Sequence, residues 1–250
     1  MGFGYKQIAK TIKNDHGISL NPGMICNWVK GRHHPLGRCN KLIEGPELSY
    51  VIGGWIGDGY LRLDRRNYRH YVTLAVSDLD FAIEWGKKLA IASGKKDSYK
   101  PRWNEKLQRW VVQGSNKLLY LLLKKTRKNP WIIMPILKKY PEHALRGFFD
   151  AEGSVDLSRY CVRAFNTCIE IIEIIRKLIE EIDIEEYRIY GRRMRKYFTR
   201  NGKTYKRNKL IEWSIEIYRK ENIEKFAKVV GFTIERKRQL LERLLNSYRS

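Results

Sequence analysis

Apolar positions along this chain switch between two rhythms. Spacings of three and four residues mark helices at 79–93, 116–125, 169–182, 221–230 and 235–247. Between them, alternation marks strand pairs: 60–66 with 68–76, 99–104 with 107–114 around Glu105-Lys106, 154–156 with 161–166, and 187–198 with 205–218 around Asn201-Gly202. Asn129-Pro130 and Pro135 predict a loop-rich passage between the halves. The order is helix, hairpin, helix, hairpin, helix, used twice, so an α+β fold built by internal duplication is expected.

Ahead of the duplication, residues 5–14 carry an apolar stripe of Ile8, Ala9 and Ile12, and Gly17 breaks the chain. Asn21 followed by Pro22 is an N-cap and first-turn pair for a second helix, with Ile25, Trp28 and Val29 facing inward and Gly31 as its cap. The segment resembles a helix-turn-helix whose second helix would present Met24, Asn27 and Lys30 to DNA, with Arg32 just beyond. A polar connector completes this 1–45 segment.

The helix opening each unit of the duplication carries one pattern, VIGGWIGDG at 51–59 and LRGFFDAEG at 145–153. Each is an apolar run holding Gly, then a small residue, a carboxylate and a final Gly. A helix should end at the carboxylate and pass into a strand through that Gly. Gly53, Gly54 and Gly147 have no side chains to hold two backbones apart, so close helix packing would set Asp58 beside Glu152. Like charges resist such a pairing unless a cation lies between them. A divalent metal taking oxygen ligands, Mg²⁺ (or Mn²⁺), answers that need and can activate water at a phosphodiester.

Composition indicates the substrate. Lys and Arg number 50 against 27 Asp and Glu, a net charge of +23, in a chain that is 43% apolar and therefore globular. Nucleic acid is the leading partner, ahead of a membrane surface, because no long apolar segment or anchoring motif is present. The N-terminus lacks the apolar core of a signal peptide, which predicts an intracellular protein of cytoplasm or nucleoid. Cys26, Cys39, Cys161 and Cys168 show no CxxC spacing, so a zinc site is not expected. Arginines and lysines lie along the predicted hairpins: Arg62, Arg65, Arg66 and Arg69, then Lys100, Arg102 and Arg109, then Arg159 and Arg163. The densest run, 187–209, holds Arg188, Arg192, Arg193, Arg195, Lys203, Lys206 and Arg207 with no acid among them. These residues are read as DNA-binding, some at base edges and others at phosphates.

The two motifs, with the duplicated unit around them, resemble those of a single-chain LAGLIDADG homing endonuclease. The second copy is the closer; the first has Gly57 where the motif prefers Ala and Ile56 where it often has Asp. The resemblance covers residues 46–250. It implies two pseudo-symmetric αββαββα repeats, 46–140 and 141–250, forming an antiparallel β saddle over a long asymmetric site in double-stranded DNA, with the motif helices as the joint. It further implies a monomeric endonuclease of mobile-intron type. Asp58 and Glu152, with the backbone of Gly57 and Ala151, would hold metal, and both strands would be cut across the minor groove. A polar side chain would follow each first hairpin (Ser77 or Asp78; Asn166 or Thr167). A catalytic lysine near the pocket would be Lys237, with Lys138 or Lys139 in the first repeat. Two other roles use the same scaffold: an RNA maturase binding intron RNA, for which the acids are dispensable, and a non-catalytic DNA-binding regulator, in which they tend to be lost.

Overall fold

A computed structural model describes residues 3–33, 41–200 and 202–248, less the side chains at 200 and 203. By contacts the chain separates into two units, Met1–Cys39 and Asn40–Ser250. In the first, α1 (Tyr5–His16) closes on Gly17 at φ +67°, and α2 (Pro22–Val29) starts under the Asn21 side chain, which accepts the Gly23 N–H at 2.8 Å. Ile25 is buried. Val29, expected to face inward, is exposed at the last residue of α2.

The second unit runs α3 (Pro46–Asp58), β1 (Gly59–Asp64), β2 (Arg69–Val76), α4 (Leu79–Ala92), β3 (Arg102–Asn104), β4 (Arg109–Ser115) and α5 (Lys117–Thr126). After a short α6 (Met134–Leu137) the plan recurs as α7 (Pro141–Glu152), β5 (Gly153–Asp156), β6 (Cys161–Asn166), α8 (Ile169–Glu180), β7 (Tyr187–Arg193), β8 (Tyr197–Arg200), β9 (Lys203–Lys206), β10 (Ile211–Ile217), α9 (Lys220–Val229) and α10 (Glu235–Asn246). Two pseudo-symmetric repeats thus form two antiparallel four-stranded sheets, ordered β1-β2-β4-β3 and β5-β6-β10-β7.

The structure corrects the expected pattern at two places. Residues 130–137 are helical turns and not open loop, because Asn129 caps the first turn and Ile133 and Leu137 have core to enter. The long second hairpin of the second repeat breaks into sheet and ribbon. Arg193 pairs with Ile211 but Tyr197 pairs with Lys206, so the returning arm holds one residue more. That mismatch is a bulge, and beyond it β8 and β9 form their own two-stranded sheet.

The motif helices share a design. Each starts Pro-Glu, which sets the first helical φ and puts a carboxylate near the positive end of the helix. Each ends on the motif acid, and a strand begins at the next Gly. A Cβ on Gly53 would overlap the Ala144 carbonyl, and one on Gly147 would overlap that of Tyr50 and lie 2.8 Å from Gly54 N. Gly54 differs from the expectation: its open side faces the Trp85 and Phe81 rings. Around the two helices runs one apolar core drawn from both repeats, including Tyr50, Trp85, Phe148, Phe149 and Phe226. No helix among the described residues is long and apolar enough to cross a membrane.

Candidate active site and nucleic-acid surface

Helix packing through glycine brings the two motif acids together. A Cβ on Gly57 would lie 2.5 Å from Ala151 Cβ and 2.7 Å from Glu152 Cγ, so the Glu152 side chain rests against the Gly57 backbone. The departure from Ala at position 57 therefore lets the helix ends approach. Burial raises the Asp58 carboxyl above its ordinary range; the charges of Arg109 and Lys237 oppose this and Asp78 adds to it. Glu152 is pushed up to about 7 by burial first, then by Asp58, with Glu212 adding and Lys237 opposing.

Lys237 enters from the start of α10. Its ammonium is buried and donates to the carbonyl oxygens of Phe149 and Asp150 at 3.0 and 2.6 Å. Burial brings it down to about 8, with Arg236 contributing in the same direction. Lys138, the other candidate, is exposed and pairs with Glu181 at 2.7 Å, while Lys139 pairs with Glu44 at 2.9 Å. Of these lysines, it is Lys237 whose charge bears on both carboxylates.

Among the described residues no group of three or more His, Cys, Asp and Glu side chains is arranged to hold a metal ion. The donor set suits a hard cation all the same. Both half-buried carboxylates have raised proton affinity, from desolvation first and, for Glu152, from Asp58 next, so a cation between them would favour their charged forms. Mg²⁺ commonly takes one or two carboxylates and fills its remaining positions with water and phosphate oxygen.

Sequence reasoning missed a buried polar knot beside this pair. Asp150 accepts the Tyr50 hydroxyl at 2.8 Å and the Thr233 N–H at 2.8 Å, and the Thr233 hydroxyl lies 3.0 Å from that of Tyr50. Its signal was an acid inside an otherwise apolar run; the first motif has Ile56 there. The expected polar residues are engaged otherwise than as free groups. Ser77 accepts from Arg109 at 3.4 Å, Asp78 is forked by Arg236, and Asn166 accepts the Cys168 N–H at 2.9 Å.

Residues 140–231 match the LAGLIDADG-like domain family. The Methanocaldococcus jannaschii protein MJ0398 is 30% identical over 251 residues, covering 98% of this chain and 89% of that one. A second protein of that organism, MJ0314, is 25% identical over 194 residues, 74% of this chain and 64% of its own length. The second repeat thus matches a LAGLIDADG-like domain. Among solved structures, I-DmoI in complex with DNA and Mn shares the fold at a TM-score of 0.51 and 16% identity, covering 74% of this chain and 96% of that one. Full-length DUF199/WhiA from Thermatoga maritima shares it at a TM-score of 0.50 and 15% identity, over 83% of this chain and 63% of that one. The same fold thus occurs in I-DmoI solved on DNA with Mn and in DUF199/WhiA.

The sheets display the arginines that the superfamily resemblance singled out. In the first repeat, alternation sets Arg62, Arg69, Arg102 and Arg109 on the face opposite core residues Val72, Leu74 and Val112. Their hydrogen-bond and ring partners are neutral, with Asp64 as the acidic neighbour of Arg62 and Arg69: Arg62 reaches Gln113 at 3.3 Å and lies over the Tyr71 ring, and Arg69 reaches the Tyr71 hydroxyl at 3.5 Å. Arg65 and Arg66 occupy the exposed β1–β2 turn, and Lys100 is exposed ahead of β3. In the second repeat the outer face is ion-paired. Arg159 meets Glu216 at 3.3 Å, Arg163 meets Asp156 at 3.0 Å, and Arg192 meets Glu212 at 2.8 Å. A cleft of about 450 Å³ is lined by Arg159, Arg163, Arg192, Glu212 and Glu152.

Arg188 lies over Tyr218, whereas Arg193 alternates to the other face of β7 from Arg188 and Arg192. Arg195 and Lys206 are exposed near the ribbon, and Arg207 covers the Phe198 ring at 4.3 Å. The Lys203 side chain falls outside the described residues. In the N-terminal unit Lys30 and Arg32 are exposed, and Asn27 is half-buried with its carbonyl accepting the N–H of Arg32 and His33.

Proposed function

We propose that this chain is a site-specific, metal-dependent DNA endonuclease that works as a monomer and hydrolyses one phosphodiester in each strand of a long asymmetric duplex. One observation carries the reading: two half-buried carboxylates of raised proton affinity, one from each repeat, meet at the ends of glycine-packed helices beside a buried lysine. Asp58 and Glu152, with the backbone of Gly57 and Ala151, would hold Mg²⁺ or Mn²⁺. When bound, the cation supplies neutralisation of the phosphate and a water of lowered pKa. The protein's own residues do the rest. Arginines of the sheets hold the duplex by its phosphates and base edges. Lys237 keeps a fixed positive charge near the scissile groups, where preorganised charge acts most strongly. The I-DmoI complexes with DNA and Mn support the reading through a shared fold.

The test is to incubate the protein with Mg²⁺ and its own genomic locus lacking the intervening sequence, and to map the ends. Wild type is expected to cut both strands. Asp58→Asn and Glu152→Gln should each lower double-strand cutting by roughly 10²–10³-fold or more, the scale of removing one preorganised group, while DNA binding persists. Full cutting by either variant refutes the assigned roles. Binding without cutting by wild type would point to a regulator, and preference for intron RNA with indifference to both substitutions would point to a maturase.

A further inference from the structure

Residues 233–237 belong to the second repeat, yet much of what holds them comes from the first. The Glu235 N–H donates to Asp80 Oδ2 at 2.7 Å. The Arg236 guanidinium forks onto Asp78, Nε to Oδ1 at 2.6 Å and Nη2 to Oδ2 at 2.8 Å. Tyr50 of α3 reaches Thr233. The next residue along is Lys237, whose ammonium is fixed on two carbonyls of α7.

We propose that the Asp78–Arg236 fork, with Asp80 on the Glu235 amide, is a clasp between the repeats that sets the register of α10 and so delivers Lys237 to both carboxylates. The inference rests on the endonuclease reading for its consequence, though not for its geometry. Asp78 and Arg236 are positioning residues.

Three observations favour this role over a merely stabilising ion pair. Asp78 is the N-cap residue of α4, where an Asp ordinarily accepts an N–H of its own helix, yet it makes no such bond and faces Arg236 instead. Arg236 has a side chain 62% exposed against 19% for Asp78, and an ion pair open to water on one side adds little stability. What a two-pronged Arg–carboxylate contact adds is orientation. Orientation matters here because successive helix residues point about 100° apart, so a slip of one residue in α10 would swing Lys237 away. The counterpart of Asp78 in the second repeat is Cys168, which caps α8 without any such fork. The clasp is therefore one-sided, matching the single buried lysine among the described residues.

The full-length protein tests this as Asp78→Ala, Arg236→Ala, the double variant and the reversed pair Asp78→Arg/Arg236→Asp. Three quantities are read: single-turnover cutting with Mg²⁺, DNA binding without Mg²⁺, and amide hydrogen exchange of residues 233–237 in metal-free protein. Each single variant should lose roughly tenfold to a hundredfold in rate, the scale of a 1 Å misplacement, with binding changed by about threefold or less. The double should be no slower than the singles, and the reversed pair should recover rate. Exchange at Glu235 should speed up in the singles and slow again in the reversed pair, while α3 and α7 stay protected. Unchanged rate and exchange, additive losses, or a reversed pair worse than the double would overturn the clasp. Should wild type cut no DNA, the endonuclease reading falls and the exchange data alone decide the clasp.

Discussion

The two sheets follow one plan and are charged differently. Trp110 pairs with Val76 at the end of β2, and Trp213 pairs with Asn166 at the end of β6, which makes Arg109 and Glu212 counterparts. From there β4 presents Arg109, Val111 and Gln113 to the outer face, whereas β10 presents Glu212, Ser214 and Glu216. The first sheet's arginines make no ion pair among the described residues, although Asp64 lies near Arg62 and Arg69. The second neutralises its own, holding Arg159, Arg163 and Arg192 on carboxylates. The difference reaches the motif acids: Arg109 lowers Asp58, and Glu212 raises Glu152. Duplication supplied two equal halves, and charge at one equivalent position separates them.

The larger shift of the pair falls on Glu152, where burial and then Asp58 act first and Glu212 adds the least. Folded, it keeps its proton up to about 7; unfolded, it releases it near 4.5. The folded state therefore binds more protons across this window, and the stability that Glu152 contributes is full below pH 4.5 and gone above about pH 7. At 1.36 kcal/mol per tenfold displacement the span is on the order of 3 kcal/mol. Metal-free protein should lose stability from pH 5 to 7.5 relative to Glu152→Gln, followed by urea unfolding at each pH. Added Mg²⁺ should stabilise wild type more at pH 8 than at pH 6, because the cation competes with that proton. Glu212→Gln should shift the Glu152 window downward. Equal pH slopes for wild type and Glu152→Gln would remove the basis of the comparison.

Where the halves are alike, substitutions should act alike. Gly53→Ala and Gly147→Ala each drive a methyl into a backbone carbonyl of the other motif helix. Overpacking costs roughly 1–3 kcal/mol, less up to about 1 kcal/mol regained in helix propensity. Gly54→Ala meets the side chains of Trp85 and Phe81 at 3.0 to 3.2 Å and should cost less than either. Urea midpoints rank the three, and a neutral Gly147→Ala would mean that the helices do not touch as described.

Much of this was legible in the sequence, for local reasons. Proline and glycine bracket both motif helices, Asn21 and Asn116 cap helices through their side chains, and alternation placed the hairpins. What escaped depends on pairing across distance. Lys237 is the better lysine as sequence, but only the contact between α10 and the end of α7 separates its buried ammonium from the surface ion pair of Lys138. The ribbon breaks away because one arm is a residue longer, which register alone reveals. The arginines of the second repeat read as free cations until β6, β7 and β10 are aligned and bring the acids between them.

The smallest effect tests the surface itself. A cation that releases counter-ions from DNA contributes about 0.9 to the slope of log affinity against log salt. Arg62, with no carboxylate within ion-pair distance among the described residues, should contribute close to that, so Arg62→Ala flattens the slope by nearly one. Arg163 is already balanced by Asp156 at 3.0 Å and Glu216 at 4.0 Å, so Arg163→Ala should move the slope less. Glu216→Gln unbalances Arg159 and Arg163 and should steepen the slope. It should also relax discrimination between bases, since a carboxylate can accept from cytosine where a freed arginine holds any phosphate. Fluorescence anisotropy over a salt series, on specific and scrambled duplexes, separates the two faces. Equal slopes for Arg62→Ala and Arg163→Ala would show that the acids of β10 do not neutralise their sheet, and the contrast between the repeats would then be confined to the carboxylate pair.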